Sequence, residues 1–312
     1  MKKIIALLLV LIIGIGMVAC GEEEAPAVEG KKVAIVLAEY NEWNKNYEKV
    51  IAEKCEAWGW TYQIFDAKQN ADTQIDHVRS IISQEFDALT IQAVDNAALA
   101  PVVGEAADAG IIVVDHYGFA DELGISDKIY KVLFGQKESG ILEAKEYIKA
   151  CGEEGKVAII SGLTGADNAM QRVAGMEEVL NQYAGIEIVA VEYCDWDTAK
   201  AQAAAENILT AHPDLKGFLV ADDGMSKGVW NAIEAAGLQE TCKIASQGFY
   251  DYSIEYLKAD KFLFTITYPA GFFSRDAMDV IKAVVDGESP ERVMWLGMEL
   301  VTKENCDTAA HD

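Results

Sequence analysis

Positive charge is what this sequence lacks most: 26 lysines and arginines stand against 51 aspartates and glutamates, a formal net charge of −25. Such a surface repels phosphate backbones, which argues against nucleic acid as a partner. The acids are spread along the chain rather than gathered in a tail, so they read as a solvated surface. Histidine is scarcer still. His77, His116, His212 and His311 are the four present, and they do not stand at metal-ligand spacing. No CxxC pair occurs, so neither a zinc ribbon nor a dithiol redox motif is indicated. The sequence shows no nucleophile elbow, phosphate-binding P-loop or dinucleotide-binding glycine fingerprint, and no recognisable nucleophile–base pair, so no enzyme activity is expected. Beyond the first twenty residues no apolar run is long enough to span a bilayer.

What is present is length and apolar material. The 312 residues, 51% of them hydrophobic, suit two domains with real cores and argue against disorder over most of the chain. The first thirty residues are distinctive. Lys2 and Lys3 give a basic start, an apolar stretch runs from Ile4 to Ile15, and Gly16-Met17-Val18-Ala19-Cys20-Gly21 closes it with small residues around a cysteine. That is the layout of a secretory signal, too short for a membrane span. The cysteine at the cleavage point resembles a bacterial lipobox, which implies cleavage before Cys20 and lipid attachment to it, with Met17 where leucine is commoner. Residues 21–30, with Glu22-Glu23-Glu24 and Pro26, read as a flexible acidic tether. Five cysteines then remain, Cys55, Cys151, Cys194, Cys242 and Cys306. Their odd number leaves at least one unpaired or joined to another chain, and buried, inert thiols are expected.

Along the mature chain, short apolar runs alternate with helical periodicity. Lys32–Leu37 reads as a buried parallel strand, Asn46–Trp58 as a helix stopped by Gly59, and Thr61–Phe65 as the next strand. The rhythm continues to Asp115 and restarts after residue 137, with strands at Lys156–Ser161, Ile186–Glu192, Gly217–Ala221 and Lys243–Gln247. About nine strands alternating with helices imply parallel sheets covered on both faces, in two lobes rather than one. In such sheets ligands bind beyond the carboxyl ends of the strands. The residues there are rich in aromatic and polar groups: Glu39-Tyr40-Asn41 and Trp43, Asp115-His116-Tyr117, Ser161, Asp195-Trp196, Asp222-Asp223, and Gln247-Gly248-Phe249-Tyr250. The run Phe262, Phe264, Phe272 and Phe273 is read as core.

Several segments in order carry a resemblance: Val33-Ala34-Ile35-Val36 followed by Asn41 and Trp43; Gly110-Ile111-Ile112-Val113-Val114-Asp115; Gln171-Arg172-Val173-Ala174-Gly175-Met176; Leu209-Thr210-Ala211-His212-Pro213-Asp214; residues 221–228; and Gln247-Gly248-Phe249. Over residues 31–300 the chain resembles the type I periplasmic binding proteins, specifically the ribose/galactose-type sugar-binding group. The resemblance implies an α/β fold of two doubly wound parallel-sheet lobes joined by a three-strand hinge that closes on ligand. The lobes would comprise 31–135 plus 269–294 and 136–268 plus 295–312, with crossings near Gly135, Tyr268 and Trp295. It implies a monomeric, extracytoplasmic lipoprotein, anchored through Cys20, that hands a sugar or sugar-like molecule to the permease of an ABC importer without cofactor or metal. A sensory lipoprotein feeding a receptor or kinase is the alternative.

By the same resemblance Asp115 is a hydroxyl-binding aspartate, Arg172 a planar fork for two adjacent oxygens, Trp43 and Trp196 stacking rings, one from each lobe, and Asn41 a further polar contact. Four positions depart from the ribose pattern: His116 where arginine is common, Asp222 for asparagine, Tyr250 for aspartate and Tyr268 for glutamine. The expected site is more aromatic than a ribose site. A polyol, a deoxy-sugar, a nucleoside or, with Asp115 beside Asp222, a cationic group stays open.

Overall fold

The computed structural model describes residues 30–119 and 123–309. The signal segment, Cys20 and all of the tether but Gly30 lie outside these residues. The first lobe opens with β1 (Lys32–Leu37), α1 (Glu42–Trp58), β2 (Thr61–Asp66), α2 (Ala71–Ser83), β3 (Ala88–Ile91), α3 (Asn96–Asp108), β4 (Ile112–Asp115) and β5 (Tyr130–Phe134). The second contains α4 (Gln136–Cys151), β6 (Glu154–Ser161), α5 (Asp167–Leu180), β7 (Gly185–Tyr193), α6 (Thr198–Ala211), β8 (Gly217–Val220), α7 (Asp223–Ala236), β9 (Lys243–Gly248), α8 (Asp251–Lys258) and β10 (Phe264–Thr267). Then follow α9 (Ala270–Val285), β11 (Val293–Leu296) and β12 (Glu299–Val301).

Two six-stranded sheets result, ordered β11-β5-β4-β3-β1-β2 and β12-β10-β9-β8-β6-β7. Every pairing is parallel except β12 against β10. β1 shows why a continuous apolar run is needed. Val33, Ile35 and Leu37 pack with Tyr47 and Ile51 of α1 and Met278 and Ile281 of α9, while Ala34 and Val36 pack with Val78 and Ile81 of α2 and Val102 and Val103 of α3. Both faces are covered, so neither parity of the strand can be polar. The second lobe has one large core around β6, β8 and β9. It includes Cys194, Cys242 and Cys306; all five cysteines of the described residues are unpaired.

Three helices, α1, α3 and α7, start three or four residues earlier than periodicity alone predicts, because polar caps rather than apolar residues set their first turns: Asn41 accepts from Asn44 N at the head of α1, Asp95 from Ala98 N at α3 and Asp222 from Gly224 N at α7. The described residues hold twelve strands, more than the nine expected. The strands with no expected counterpart are β5, β10, β11 and β12, all of five residues or fewer, which leave too little pattern to read.

The chain passes between the sheets three times: after β5, between β10 and α9, and between β11 and β12. The third passage falls at Gly297 and Met298 rather than at Trp295, because Trp295 and Leu296 still pair with Leu133 and Phe134 of the first sheet. α9 returns to the first lobe through α1, β4 and β5. In the second lobe α4 and α5 touch backbone to backbone. A Cβ on Gly140 would stand 2.1 Å from Arg172 O, and one on Gly175 2.1 Å from Lys137 O. This close approach brings the first turns of both helices together beside the cleft. Across the cleft Gln69 Nε2 donates to Asp195 O (2.9 Å), Asn96 Nδ2 to Asp167 Oδ2 (2.7 Å), and Lys227 Nζ pairs with Glu42 Oε2 (3.4 Å). The lobes therefore meet around the rim.

Candidate functional site

The first lobe's contribution begins just past β1. Asn41 is both cap and bridge: its Oδ1 receives Asn44 N (3.1 Å) and its Nδ2 donates to Glu39 Oε1 (3.0 Å). Gln69 Nε2 donates to the other oxygen of Glu39 (2.6 Å). Burial raises the Glu39 pKa, and the two amide bonds oppose that rise. Trp43, one residue into α1, stacks on Tyr47 with ring centres 5.5 Å apart and meets Phe273 edge-on at 5.6 Å. Its Nε1 donates to Tyr268 O at 3.5 Å.

From the second lobe Arg172, only 3% exposed, reaches in from α5. Its Nε donates to Gln136 Oε1 (2.7 Å), and its Nη1 to Ala221 O (2.6 Å) and Tyr268 OH (2.8 Å). The guanidinium carbon lies 4.3 Å from the Tyr268 ring centre and 5.7 Å from that of Trp196. Asp195 and Trp196 both have left-handed backbone, φ 52° and 57°, which turns the indole back over the strand tip. A side chain on Gly162 could not share that space, since a Cβ there would fall 2.0 Å from Trp196 Cε2. Asp222 caps α7 through Oδ1 (Gly224 N, 2.7 Å), and its Oδ2 accepts from Tyr250 OH (2.8 Å) and Tyr268 OH (3.4 Å). Burial raises its pKa, opposed by the Tyr250 bond and the Arg172 charge.

These groups surround a cavity between the lobes. Seven of the nine predicted ligand-site residues line it: Asn41, Trp43, Arg172, Trp196, Asp222, Tyr250 and Tyr268. Asp115 and His116 do not. Asp115 is fully buried and turns its carboxylate onto its own loop, accepting from Tyr117 N (3.0 Å), Gly118 N (2.8 Å) and Phe119 N (2.9 Å). Burial lifts its pKa to about 6 against those bonds. Three backbone donors have taken the oxygens that were expected to meet hydroxyls. His116 is likewise buried, between Tyr47 OH and Val132 O, and burial lowers its pKa to about 4, so it is neutral at pH 7. At a strand tip successive side chains point to opposite sides, and sequence alone does not show which one meets the cleft.

The cavity also holds residues that the sequence reading did not assign to ligand: Gln92, Tyr117, Gln136, Asn168 and Phe273. Gln92 and Tyr117 sit at strand tips, the positions where ligand groups are expected in such sheets. Gln136 and Asn168 lie in first turns of helices, a position with no pattern of its own. Phe273 was read as core and is indeed 98% buried (2% exposed), yet its ring edges the cavity, whereas Phe262 and Phe264 belong to the second lobe's core.

Gly224-Met225-Ser226-Lys227-Gly228 does have the GxSxG spacing, contrary to the expectation that no such motif occurs. Ser226 lies within α7, fully buried, with its hydroxyl bonded to Asp222 O (3.2 Å) and Ser246 Oγ (2.7 Å). A nucleophile elbow exposes its serine at a strand-to-helix turn beside a base, and this serine has neither feature. Among the described residues no cluster of His, Cys, Asp or Glu could hold a metal ion, and no helix is long and apolar enough to cross a membrane. What the arrangement can do is bind: flat rings and hydrogen-bonding forks surround a small space between two lobes.

Comparison with known proteins agrees with that chemistry. A family model described as a periplasmic binding protein domain matches residues 33–289. The D-ribose/D-allose-binding protein of Pseudomonas aeruginosa is 32% identical over 244 residues, covering 75% of this chain and 76% of the relative. The ribose import binding protein of Bacillus subtilis is 24% identical over 262 residues, 82% of each chain. Among solved structures, an ABC transporter periplasmic solute binding protein from Actinobacillus succinogenes with bound D-allose aligns with a TM-score of 0.80 at 25% identity, over 89% of this chain and 100% of that one.

Proposed function

The chain belongs to the periplasmic binding protein domain family, and from that premise we propose that it captures a small, uncharged sugar or cyclic polyol between its lobes and delivers it to an ABC importer. It is a binding protein and not an enzyme. The observation that carries the reading is the make-up of the cavity. Trp43 and Phe273 from one lobe and Trp196 and Tyr250 from the other supply flat apolar surfaces, and buried amides and Arg172 supply hydrogen bonds between them. A sugar offers the complement, C–H faces above and below and hydroxyls at the rim. The carboxylates of Asp222 and Glu39 line the same cavity as Arg172 and offset its charge, which favours a neutral ligand over an anion. Ligand bridging both lobes favours the closed form that a permease would recognise.

A thermal-shift screen of the chain starting after Cys20, against pentoses, hexoses, cyclitols, nucleosides and small amines, tests this. A neutral sugar or cyclitol is expected to raise the melting temperature, by the equivalent of about 2.7 kcal/mol at a hundredfold excess over Kd. Trp43→Ala should remove the shift. A shift confined to amines or nucleosides would overturn the sugar reading, and no shift with any compound would overturn the ligand class altogether.

Lipid anchoring at Cys20 belongs to the same proposal. It is supported by the basic start, apolar stretch and small residues before that cysteine. In a bacterial host fed an alkyne fatty acid, the full chain is expected to take up label and sediment with membranes, and Cys20→Ala to do neither. An unlabelled parent chain would sink the idea. One chain's two lobes enclose the cavity, so a monomer is the proposed working unit, to be checked by light scattering in the same preparation.

A further inference from the structure

Three nearly buried side chains on the second lobe's wall keep donors that the protein does not use. Gln136 and Asn168 are 5% exposed and Arg172 3%, and all three line the cavity. Their orientations are dictated by their neighbours. Arg172 Nε can only donate, so the Gln136 atom it meets at 2.7 Å is the oxygen, and Nε2 is left over. The Ala169 N–H can only donate, so Asn168 meets it with Oδ1 at 2.9 Å and keeps Nδ2. Arg172 commits Nε and Nη1, and its Nη2 bonds to no described residue. None of these nitrogens is among the described buried atoms shut away without a partner, which are His77 Nδ1, Tyr147 OH, Trp230 Nε1, Gln247 Oε1 and Tyr252 OH. They are also neighbours: Gln136 touches Arg172, and Asn168 precedes Arg172 by one turn of α5. α4 and α5 both begin here without a side-chain cap, adding two positive helix ends.

The acceptors close by already take bonds of their own: Asp222 receives Gly224 N on one oxygen and two tyrosine hydroxyls on the other, and Tyr268 OH accepts from Arg172. A ligand hydroxyl placed against this wall would accept bonds but find no acceptor on these three side chains for its own proton, which costs about 1–3 kcal/mol if left unpaired. A carbonyl oxygen has no proton to place. A carboxylate has none either, but Arg172 already faces Asp222, and Glu39 lines the same cavity with one bond on each oxygen and lone pairs to spare.

We propose that Gln136, Asn168 and Arg172 form a donor-only subsite that selects a neutral ligand bearing a ketone or lactone carbonyl on a small cyclic polyol, with its hydroxyls turned toward Glu39. This rests on the capture reading above and states which edge of the ligand faces the second lobe. Titration calorimetry on the chain starting after Cys20 tests it with matched pairs: D-ribono-1,4-lactone against D-ribose, 2-keto-myo-inositol against myo-inositol, and D-ribonate as the acid. At least one carbonyl compound should bind tenfold or more tighter than its hydroxyl partner, and the acid should not bind. Gln136→Glu and Asn168→Asp keep each internal bond while turning the free donor into an acceptor, so each should shrink or reverse that ratio. The ratio is read within one variant, so lost stability cannot imitate the effect. Equal or tighter binding of the hydroxyl compounds by the parent chain overturns the subsite and leaves the capture reading standing. Tightest binding of the acid also overturns it. Binding of none of these compounds, with none in the thermal-shift screen, overturns both.

Discussion

Replacing Arg172 by leucine is expected to abolish ligand binding and to lower the stability of the ligand-free protein, by about 1–3 kcal/mol for each buried acceptor left without its donor. The guanidinium joins three structural pieces: Gln136 at the head of α4, Ala221 O at the end of β8, and Tyr268 at the crossing before α9. Leucine would leave the Gln136 oxygen without its donor, the Ala221 carbonyl with only the longer Tyr268 OH bond (3.4 Å), and Asp222 without the charge of Arg172, all in buried surroundings. Lysine keeps the charge but not the fork, so Arg172→Lys should retain more of the stability than of the binding. Urea midpoints of the ligand-free variants and calorimetry with the best compound from the screen separate the two effects. A leucine variant within about 1 kcal/mol of the parent would mean that these bonds do not hold the lobe together, since buried acceptors losing a charged donor should cost more.

Ligand-free stability is expected to fall as pH rises from about 5 to 8, with Glu143 as the main cause. Its carboxyl is fully buried on α4, accepting from Val220 N (3.0 Å) and Gln247 Nε2 (2.6 Å). Burial pushes its pKa up to about 8, against the Gln247 and Val220 bonds and the charge of Arg172. An unfolded glutamate titrates near 4.3. Between those values the unfolded chain has lost the proton while the folded chain keeps it, so the folded state binds more protons and stability falls with rising pH, by about 1.4 kcal/mol per pH unit for one such group. Once the folded group ionises, near pH 8, its share of the slope ends. Asp115 and Asp223, each pushed up by burial to about 6, act with the same sign but finish earlier. Glu143→Gln should therefore flatten most of the decline between about pH 6 and 8 and be more stable than the parent at the upper end. The swap keeps the bond between the two side chains, because Gln247 can turn its amide so that Oε1 accepts from the new amide. The acidic surface also favours low pH, but equally in both chains, so the difference between their urea midpoints isolates Glu143. Identical slopes would refute the assignment.

Sequence by itself determined the parts of this protein that depend on pattern. Continuous apolar runs such as Val33–Leu37 cannot be satisfied by a sheet with one wet face, so two-sided burial, parallel pairing and binding at the strand tips all follow. The aromatic and charged residues of the cleft were legible for the same reason: Trp43, Trp196, Arg172, Asp222 and Tyr250 stand just beyond strands or on the helix that follows one, and all line the cavity. The tertiary structure alone decided which way each group faces and what remains of its bonding capacity. Asp115 and Asp222 both follow apolar strands, yet three backbone N–H groups of its own loop claim the first, while the second faces the cavity. Gln136 joins Asn168 and Arg172 only because Gly140 and Gly175 let two helices touch, with Gln136 36 residues from Arg172 in sequence. A residue type states what a side chain can donate or accept; the packed fold determines which of those bonds are still open when a ligand arrives.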